Sequence, residues 1–168
     1  MILDIIQLEK KHFYDKQSLL RRESVPVEDF GAEFQKEVNN LLETIDSWKI
    51  AIGLSAPQVG IRKRVAIVKV NKDETPLIIV NPQITSLSGK KDTKKESCLS
   101  LPGVRGNVQR RYKLSLSYQD RFGELHTLNA ESFFARVILH ELDHLDGILF
   151  VDRMDNDESL EDFDLVWE

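Results

Sequence analysis

The segment 140–144, with the sequence HELDH, is the sequence feature that most restricts how this chain can fold. On a helix, residues four apart lie one above the other, so His140 and His144 can reach the same ion. Phe133 and Val137 extend the same stripe, which turns the two histidines towards the core. Glu141 would then lie beside the first ligand, where its carboxylate can move a proton without binding the ion. The segment predicts a hydrolytic metal site on a buried helix, and its plain alternative is a surface helix with two solvated histidines.

A third ligand must come from elsewhere in the chain. Cys98 is the only cysteine, and two imidazoles with one thiolate leave a fourth position open for water, as a catalytic site requires. Taken alone, a single cysteine is more often a small buried apolar residue. A carboxylate downstream of the helix, from Asp146, Asp152 or Asp155, is an open alternative that would favour a metallopeptidase.

The remaining pattern predicts an α+β protein. Apolar residues at helical spacing from Phe30 to Trp48 predict a long amphipathic helix ending near Lys49. The runs 65–70 and 77–80 predict short strands, and residues 113–118 alternate as a half-buried strand does. Residues 120–123 predict a hairpin turn into a strand over 124–128.

A second helix is expected from about Asn129 to Gly147, and the spacing of Leu160, Phe163 and Trp167 predicts a short C-terminal helix. The order helix, strands, helix favours antiparallel sheets packed around a central metal-binding HELDH helix. The chain has no linker or repeat, so residues 1–168 are expected to form a single domain.

The net charge and the cysteine content limit the binding partners and the cellular compartment that we expect for this chain. The net charge of -5 argues against binding to nucleic acid or to an anionic membrane. A single thiol forms no intrachain disulfide and fits a reducing compartment. We expect a cytoplasmic protein, because no signal peptide and no apolar run of membrane-spanning length is visible. We also expect a monomer.

With Cys98 in view, the chain resembles the peptide deformylases over nearly its whole length. Three motifs carry the resemblance, namely AIGLSAPQVG at 51–60, ESCLSLPG at 96–103 and HELDH at 140–144, which continues into LDGILFVDRM. The segment 20–27 is also typical of that family. Three motifs in this order and spacing are specific, whereas one alone would not be.

The resemblance implies an enzyme that removes the formyl group from the N-terminal formyl-methionine of nascent polypeptides and releases formate. Cys98, His140 and His144 would hold one divalent ion, iron(II) in the cell, with zinc, nickel or cobalt able to occupy the site. A metal-bound water would attack the formyl carbon, with Glu141 as general base and then general acid. The Gln58 amide and the backbone N–H of Leu99 would stabilise the oxyanion.

The resemblance also implies how a formyl-methionyl peptide binds. The peptide would lie extended and form backbone hydrogen bonds with Ile52 and Ser97. Glu96 and Arg105 would form a supporting pair at the rim, and Asp143 with Arg110 a second pair. The full set expected to contact substrate is Ile52, Gly53, Glu96, Ser97, Arg105, Phe133, Phe134 and Val137, of which Ile52, Phe133, Phe134 and Val137 would surround the methionine side chain.

Three positions depart from the family pattern. Ala51 and Ser97 stand where the family usually has glycine, and Ser55 where it usually has alanine. If glycine serves a positive φ at these places, a side chain would cost on the order of 1 kcal/mol. If it serves close approach, the substrate would bind more weakly. The ligands and Glu141 are intact, so we expect intact chemistry, with an enzyme for another N-formyl substrate and a catalytically weak metal- or peptide-binding relative as alternatives.

Overall fold

The computed structural model describes residues 1–69, 75–156 and 159–163, within which two α-helices and eight strands occur. The helices are α1 (Ala32–Ser47) and α2 (Ser132–Leu145). The strands are β1 (Gly53–Ser55), β2 (Val65–Val68), β3 (Leu77–Leu87), β4 (Lys91–Cys98), β5 (Leu101–Arg111), β6 (Lys113–Gln119), β7 (Leu125–Glu131) and β8 (Glu161–Asp162). Short 3-10 helices cover Lys10–His12, Leu19–Arg21, Ala56–Val59 and Phe150–Arg153.

The strands form two antiparallel sheets with α2 between them. The five-stranded sheet has the order β1-β2-β3-β6-β7, and the three-stranded sheet has the order β4-β5-β8. Helix α2 contacts β1, β2, β6 and β7 of the first sheet and β5 of the second. The predicted α+β fold with antiparallel sheets is therefore confirmed. Because β1 and β4 are edge strands, each sheet presents an unpaired edge within the described residues.

Helix α1 fixes the position of β1. Its side chains Phe34, Val38, Leu41 and Ile45 are buried at helical spacing and pack in one cluster with Leu54 of β1. Burial of such a stripe removes apolar surface from water, which holds the edge strand in place. In the described ranges no helix combines the length and apolar character needed to cross a membrane.

The β6–β7 hairpin forms as its sequence predicts. Leu114, Leu116 and Tyr118 face the core, and the residues between them are more exposed. At the turn, Asp120 Oδ1 accepts hydrogen bonds from the backbone N–H groups of Phe122 (2.8 Å) and Glu124 (3.1 Å). This Asx-type arrangement stabilises the turn locally, which is why the hairpin is readable from sequence.

The prediction that the second helix begins near Asn129 is wrong by three residues. Asn129 belongs to β7 and pairs with Ser115 of β6, whose hydroxyl donates to Asn129 Oδ1 at 2.6 Å. The chain turns into α2 only at Ser132, which has a φ of 56°. Cross-strand pairing thus occupies the side chain that would otherwise have capped a helix.

The predicted C-terminal helix is wrong for the described part of that segment. Glu161 and Asp162 form β8, which pairs with Arg105 and Val104 at the edge of β5. An edge strand has unpaired backbone groups, and an extended segment satisfies them. The Glu161 carboxylate also pairs with Lys95 and Arg105. Trp167, on which the helical prediction relied, and Val70, at the end of a predicted strand, lie outside the described residues.

Candidate active site

Helix α2 places three chemically active side chains at one point. Ala135, Ile138 and Leu142 pack in the core, so the part of the helix that carries His140, Glu141 and His144 is drawn into the interior. Glu141 is 4% exposed and His144 is 1% exposed. Charged and titratable groups are seldom buried this deeply unless they are paired or bind a ligand.

Cys98 meets the two histidines from the end of β4. The β4–β5 register shifts between Ser97 and Cys98, and this bulge directs the thiol into the interior, where it is 6% exposed. Cys98 Sγ lies 3.3 Å from His144 Nε2. The ligand atoms of Cys98, His140 and His144 lie within 4.8 Å of one another. The 3.3 Å between Sγ and Nε2 is a separation that one ion with bonds of about 2.0–2.3 Å can bridge.

One unpaired polar atom supports a partner for the carboxylate at this cluster. Among the described residues, the buried Glu141 Oε2 has no hydrogen-bond partner. Two of the three carboxylates considered as alternative ligands are paired elsewhere: Asp146 with Arg64, and Asp152 with Arg21. The donor set of one thiolate and two imidazoles therefore fits a divalent ion of the zinc or iron(II) type.

Glu96 holds His140 in the orientation that a ligand needs. Glu96 Oε1 lies 2.8 Å from His140 Nδ1, so the proton is held on Nδ1 and Nε2 is left for an ion. The carboxylate also accepts hydrogen bonds from Arg110 (2.8 and 2.9 Å) and Arg136 (2.6 Å). Burial alone would raise the pKa of Glu96, but its bonds with Arg110 and His140 hold that pKa well below its usual range.

The predicted pair of Glu96 with Arg105 is wrong. Arg105 lies opposite Ser97 in the β4–β5 register, and neighbouring residues of a strand point to opposite faces. The Arg105 guanidinium therefore turns away from Glu96, pairs with Glu161 and lies 4.6 Å from the ring centroid of Phe163. The predicted contact of Asp143 with Arg110 does form, at 2.6 Å.

Glu141 lies against Gly53 of β1. A Cβ atom built on Gly53 would meet Glu141 Cδ at 2.8 Å and Cγ at 2.9 Å, with the carboxylate oxygen closer still. The glycine therefore provides the space that the carboxylate occupies. Burial raises the pKa of Glu141 to about 7, which suits a group that accepts and then returns a proton near neutral pH.

Replacing Gly53 by alanine should lower kcat by about 100-fold, since the new methyl group displaces the Glu141 carboxylate from its position. Formate release from a formyl-methionyl peptide, the activity that the resemblance implies, measures the effect. Gly89→Ala is the matched control, because nothing lies within 4 Å of a Cβ built there. Equal rates for the two variants would show that the contact between Gly53 and Glu141 is unimportant.

Gln58 also faces the cluster. It lies in the 3-10 helix Ala56–Val59, is 2% exposed, and its Nε2 lies 3.6 Å from Cys98 Sγ. The positive-φ residues of the described chain do not include Ala51 or Ser97. The backbone strain considered for side chains at those two positions therefore does not arise.

A groove with a volume of about 280 Å³ is lined by Gln58, Cys98, His140 and Glu141. Of the residues expected to contact substrate, Ile52, Gly53, Glu96, Ser97, Phe133 and Val137 line it. Phe134 packs instead with the core cluster on the sheet side of α2, and Arg105 lies outside the lining. The sequence did not lead us to four further lining residues, Ile50, Lys95, Arg136 and Phe163. Arg136 could have been predicted, because it lies one helical turn before His140.

Replacing Glu96 by glutamine should weaken metal binding by about 10- to 100-fold. It should also lower the free energy of unfolding by about 3 kcal/mol, since the buried Arg110 and Arg136 each lose one of their two anionic partners. Folding lowers the pKa of Glu96 from its ordinary value of 4.5. The Glu96 carboxylate therefore stabilises the folded protein fully above about pH 4.5, and this stabilisation declines as the pH falls further. Metal titration and denaturant unfolding at several pH values measure both effects. Glu161→Gln, at an exposed ion pair, should change either quantity little; equal losses in both variants would contradict this account.

Taken with the α+β fold, a Cys-His-His cluster beside a buried glutamate is the arrangement of a metal-dependent hydrolase. The family model described as polypeptide deformylase matches residues 9–159. The chain therefore belongs to the polypeptide deformylase family, whose members depend on a metal and remove N-formyl groups from nascent peptides.

Curated relatives and solved structures agree with this assignment. The chain is 43% identical over 129 residues to a peptide deformylase of Prochlorococcus marinus, covering 75% of this chain and 63% of the relative's length. It is 41% identical over 135 residues to one of Desulfitobacterium hafniense, covering 80% and 87%. The structure matches a peptide deformylase of Synechococcus elongatus in complex with actinonin with a TM-score of 0.83 and 36% identity, covering 94% of this chain and 81% of the other. It also matches the enzyme of Thermotoga maritima with a TM-score of 0.83 and 31% identity, covering 93% and 99%.

Proposed function

We propose that this protein hydrolyses the N-formyl group of formyl-methionine at the start of nascent polypeptides and releases formate. The observation that carries the proposal is the buried Glu141 carboxyl, with a pKa raised to about 7, beside the Cys98, His140 and His144 cluster. The alternatives are an enzyme for another N-formyl amine and a relative that only binds metal or peptide. A binding protein would have no need of a proton-transferring carboxylate at that position.

Cys98, His140 and His144 are the residues that would hold the divalent ion. When bound, the ion supplies Lewis acidity, which lowers the pKa of a water and polarises the formyl oxygen. Iron(II) is the proposed ion in the cell, and the same donors suit zinc, nickel or cobalt. Glu96 keeps the His140 ring oriented for this task.

Glu141 is the proposed proton carrier. Oε2 has no hydrogen-bond partner among the described residues, so it is available to a water that attacks the formyl carbon. The carboxylate accepts a proton from that water and gives it to the amide nitrogen as the C–N bond breaks. Formate and the free N-terminal amine are then the two products.

Gln58 and Leu99 are the proposed donors to the oxyanion. Both line the groove next to Cys98, and the Gln58 amide nitrogen already faces the ligand cluster. A donor fixed before the reaction costs no reorganisation when negative charge develops on the formyl oxygen.

The edge strands β1 and β4 are the proposed walls for an extended peptide. Unpaired strand edges can each form backbone hydrogen bonds with a bound strand, here near Ile52 and Ser97. Ile52, Phe133 and Val137 give the groove an apolar side for the methionine side chain. We propose that residues 1–168 act as one catalytic domain and as a monomer.

The proposal is tested by comparing formyl-Met-Ala-Ser with acetyl-Met-Ala-Ser and with formylated small amines. Anaerobically prepared, iron(II)-loaded protein should release formate from the formyl peptide and leave the acetyl peptide intact. Release from a formylated small amine alone would favour the divergent enzyme. Cleavage of an internal peptide bond would identify a metallopeptidase, and no turnover by folded, metal-replete protein would leave a binding relative.

A further inference from the structure

The Gln58 amide is held at both ends by serine residues. Its oxygen, Oε1, accepts hydrogen bonds from the backbone N–H of Ser55 and from the Ser55 hydroxyl, each at 2.9 Å. Its nitrogen, Nε2, donates to the Ser100 hydroxyl at 3.1 Å. Ser55 and Ser100 are both 0% exposed, so water does not compete for these bonds.

The geometry determines which way the amide faces. A backbone N–H can only donate, so the Ser55 N–H requires Oε1, and not Nε2, at that end. The Ser55 hydroxyl then donates to the second lone pair of Oε1. The Glu141 carboxylate also lies beside this hydroxyl, and that contact offsets part of the rise in the Glu141 pKa that burial causes. At the other end Nε2 has two N–H groups, and the bond to Ser100 uses one of them. The second N–H lies on the groove side, where Nε2 donates a long hydrogen bond of 3.6 Å to Cys98 Sγ.

We propose that Ser55 and Ser100 are positioning residues that clamp the Gln58 amide with one N–H aimed at the reacting formyl oxygen. The inference rests on the proposed function and adds a role for Ser55, at which this chain departs from the alanine usual in the family. The hydroxyl at this position gives the amide oxygen a second donor, and so restricts rotation of a side chain that must be in place before charge develops.

A purely structural role for Ser55 makes a different prediction. Ser55 precedes the 3-10 helix Ala56–Val59, so its hydroxyl could serve only to stabilise that turn. Loss of the hydroxyl would then lower the melting temperature, and any effect on rate would be independent of Gln58. The two roles therefore separate in a double-mutant cycle.

The cycle comprises wild type, Ser55→Ala, Gln58→Ala and the double variant, with kcat and KM measured for formyl-Met-Ala-Ser. We expect Ser55→Ala to lower kcat about three- to tenfold, the range of one net hydrogen bond, and to leave KM nearly unchanged. In the Gln58→Ala background the same change should lower kcat much less, because only the contact of Ser55 with Glu141 is then lost. Equal losses of kcat in both backgrounds would overturn the clamp.

Ser24→Ala is the matched control, since Ser24 is also a buried serine, 4% exposed, and does not line the groove. It should leave kcat unchanged. Circular dichroism and melting curves establish that each variant is folded.

A second measurement does not depend on turnover. In the metal-free protein the Gln58 side-chain amide should give two resolved proton signals with slow rotation and slow exchange with solvent. In Ser55→Ala these signals should broaden or exchange faster, whereas in Ser24→Ala they should not. Unchanged Gln58 signals in Ser55→Ala would refute the clamp. Absence of formate release by the wild-type protein would refute the proposed function. The proton signals of Gln58 would still show whether Ser55 restrains the amide.

Discussion

Replacement of Glu141 by glutamine should lower kcat for formyl-Met-Ala-Ser by about a thousandfold, within the range attributed to a positioned general base and acid. Glutamine has nearly the same shape as glutamate but neither accepts the proton of the attacking water nor returns one to the amine. The groove and the ligand cluster should otherwise be unchanged, so KM should change little. Steady-state formate release, normalised to the metal content of each preparation, measures the loss.

Two controls make this result specific. Metal content should remain that of wild type, because Glu141 is not one of the proposed ligands. The melting temperature should not fall, since burial already raises the pKa of Glu141 to about 7 and a neutral amide is easier to bury than a carboxylate. A variant with full metal content and more than a tenth of the wild-type kcat would exclude Glu141 as the proton carrier.

Replacement of Cys98 by alanine should abolish both metal binding and formate release. The thiolate is the one sulfur donor of the cluster, and two imidazoles on one helical face hold a divalent ion much more weakly than three donors. Elemental analysis after dialysis against buffer with a trace of metal should show a fall from about one ion per chain to almost none.

The matched control for Cys98 is His12→Ala. His12 lies in the 3-10 helix Lys10–His12, is exposed, and belongs to neither the groove nor the ligand cluster. Its removal should change neither metal content nor rate. If Cys98→Ala keeps the ion and the activity, the third ligand is another group and the assignment of the cluster is wrong.

The parts of the site that the sequence predicts are those with a local signature. The spacing of His140 and His144 has its meaning within one helix, and the alternation around Leu116 has its meaning within one strand. The β4–β5 hairpin is not predicted by local patterns because β4 is largely polar and exposed, with Cys98 at its buried end. The β4 residues form a strand because they pair with β5, and the sequence of β4 alone does not reveal this partner.

The support around the ligands is equally non-local. Glu96 contacts Arg110 from the neighbouring strand and Arg136 from α2, 40 residues further along the chain, and only the strand register shows that Arg105 faces away from it. Gly53 could be interpreted as a turn glycine or as space for substrate. The structure shows that it makes space for Glu141, a contact between residues far apart in sequence.

The most direct test of the account is a metal titration of formate release. Protein freed of metal by a chelator under anaerobic conditions is given increasing iron(II), and the initial rate with formyl-Met-Ala-Ser is measured at each addition. The account predicts no release without metal and a linear rise that ends at one ion per chain. Release by the metal-free protein, or none at full occupancy, would contradict it.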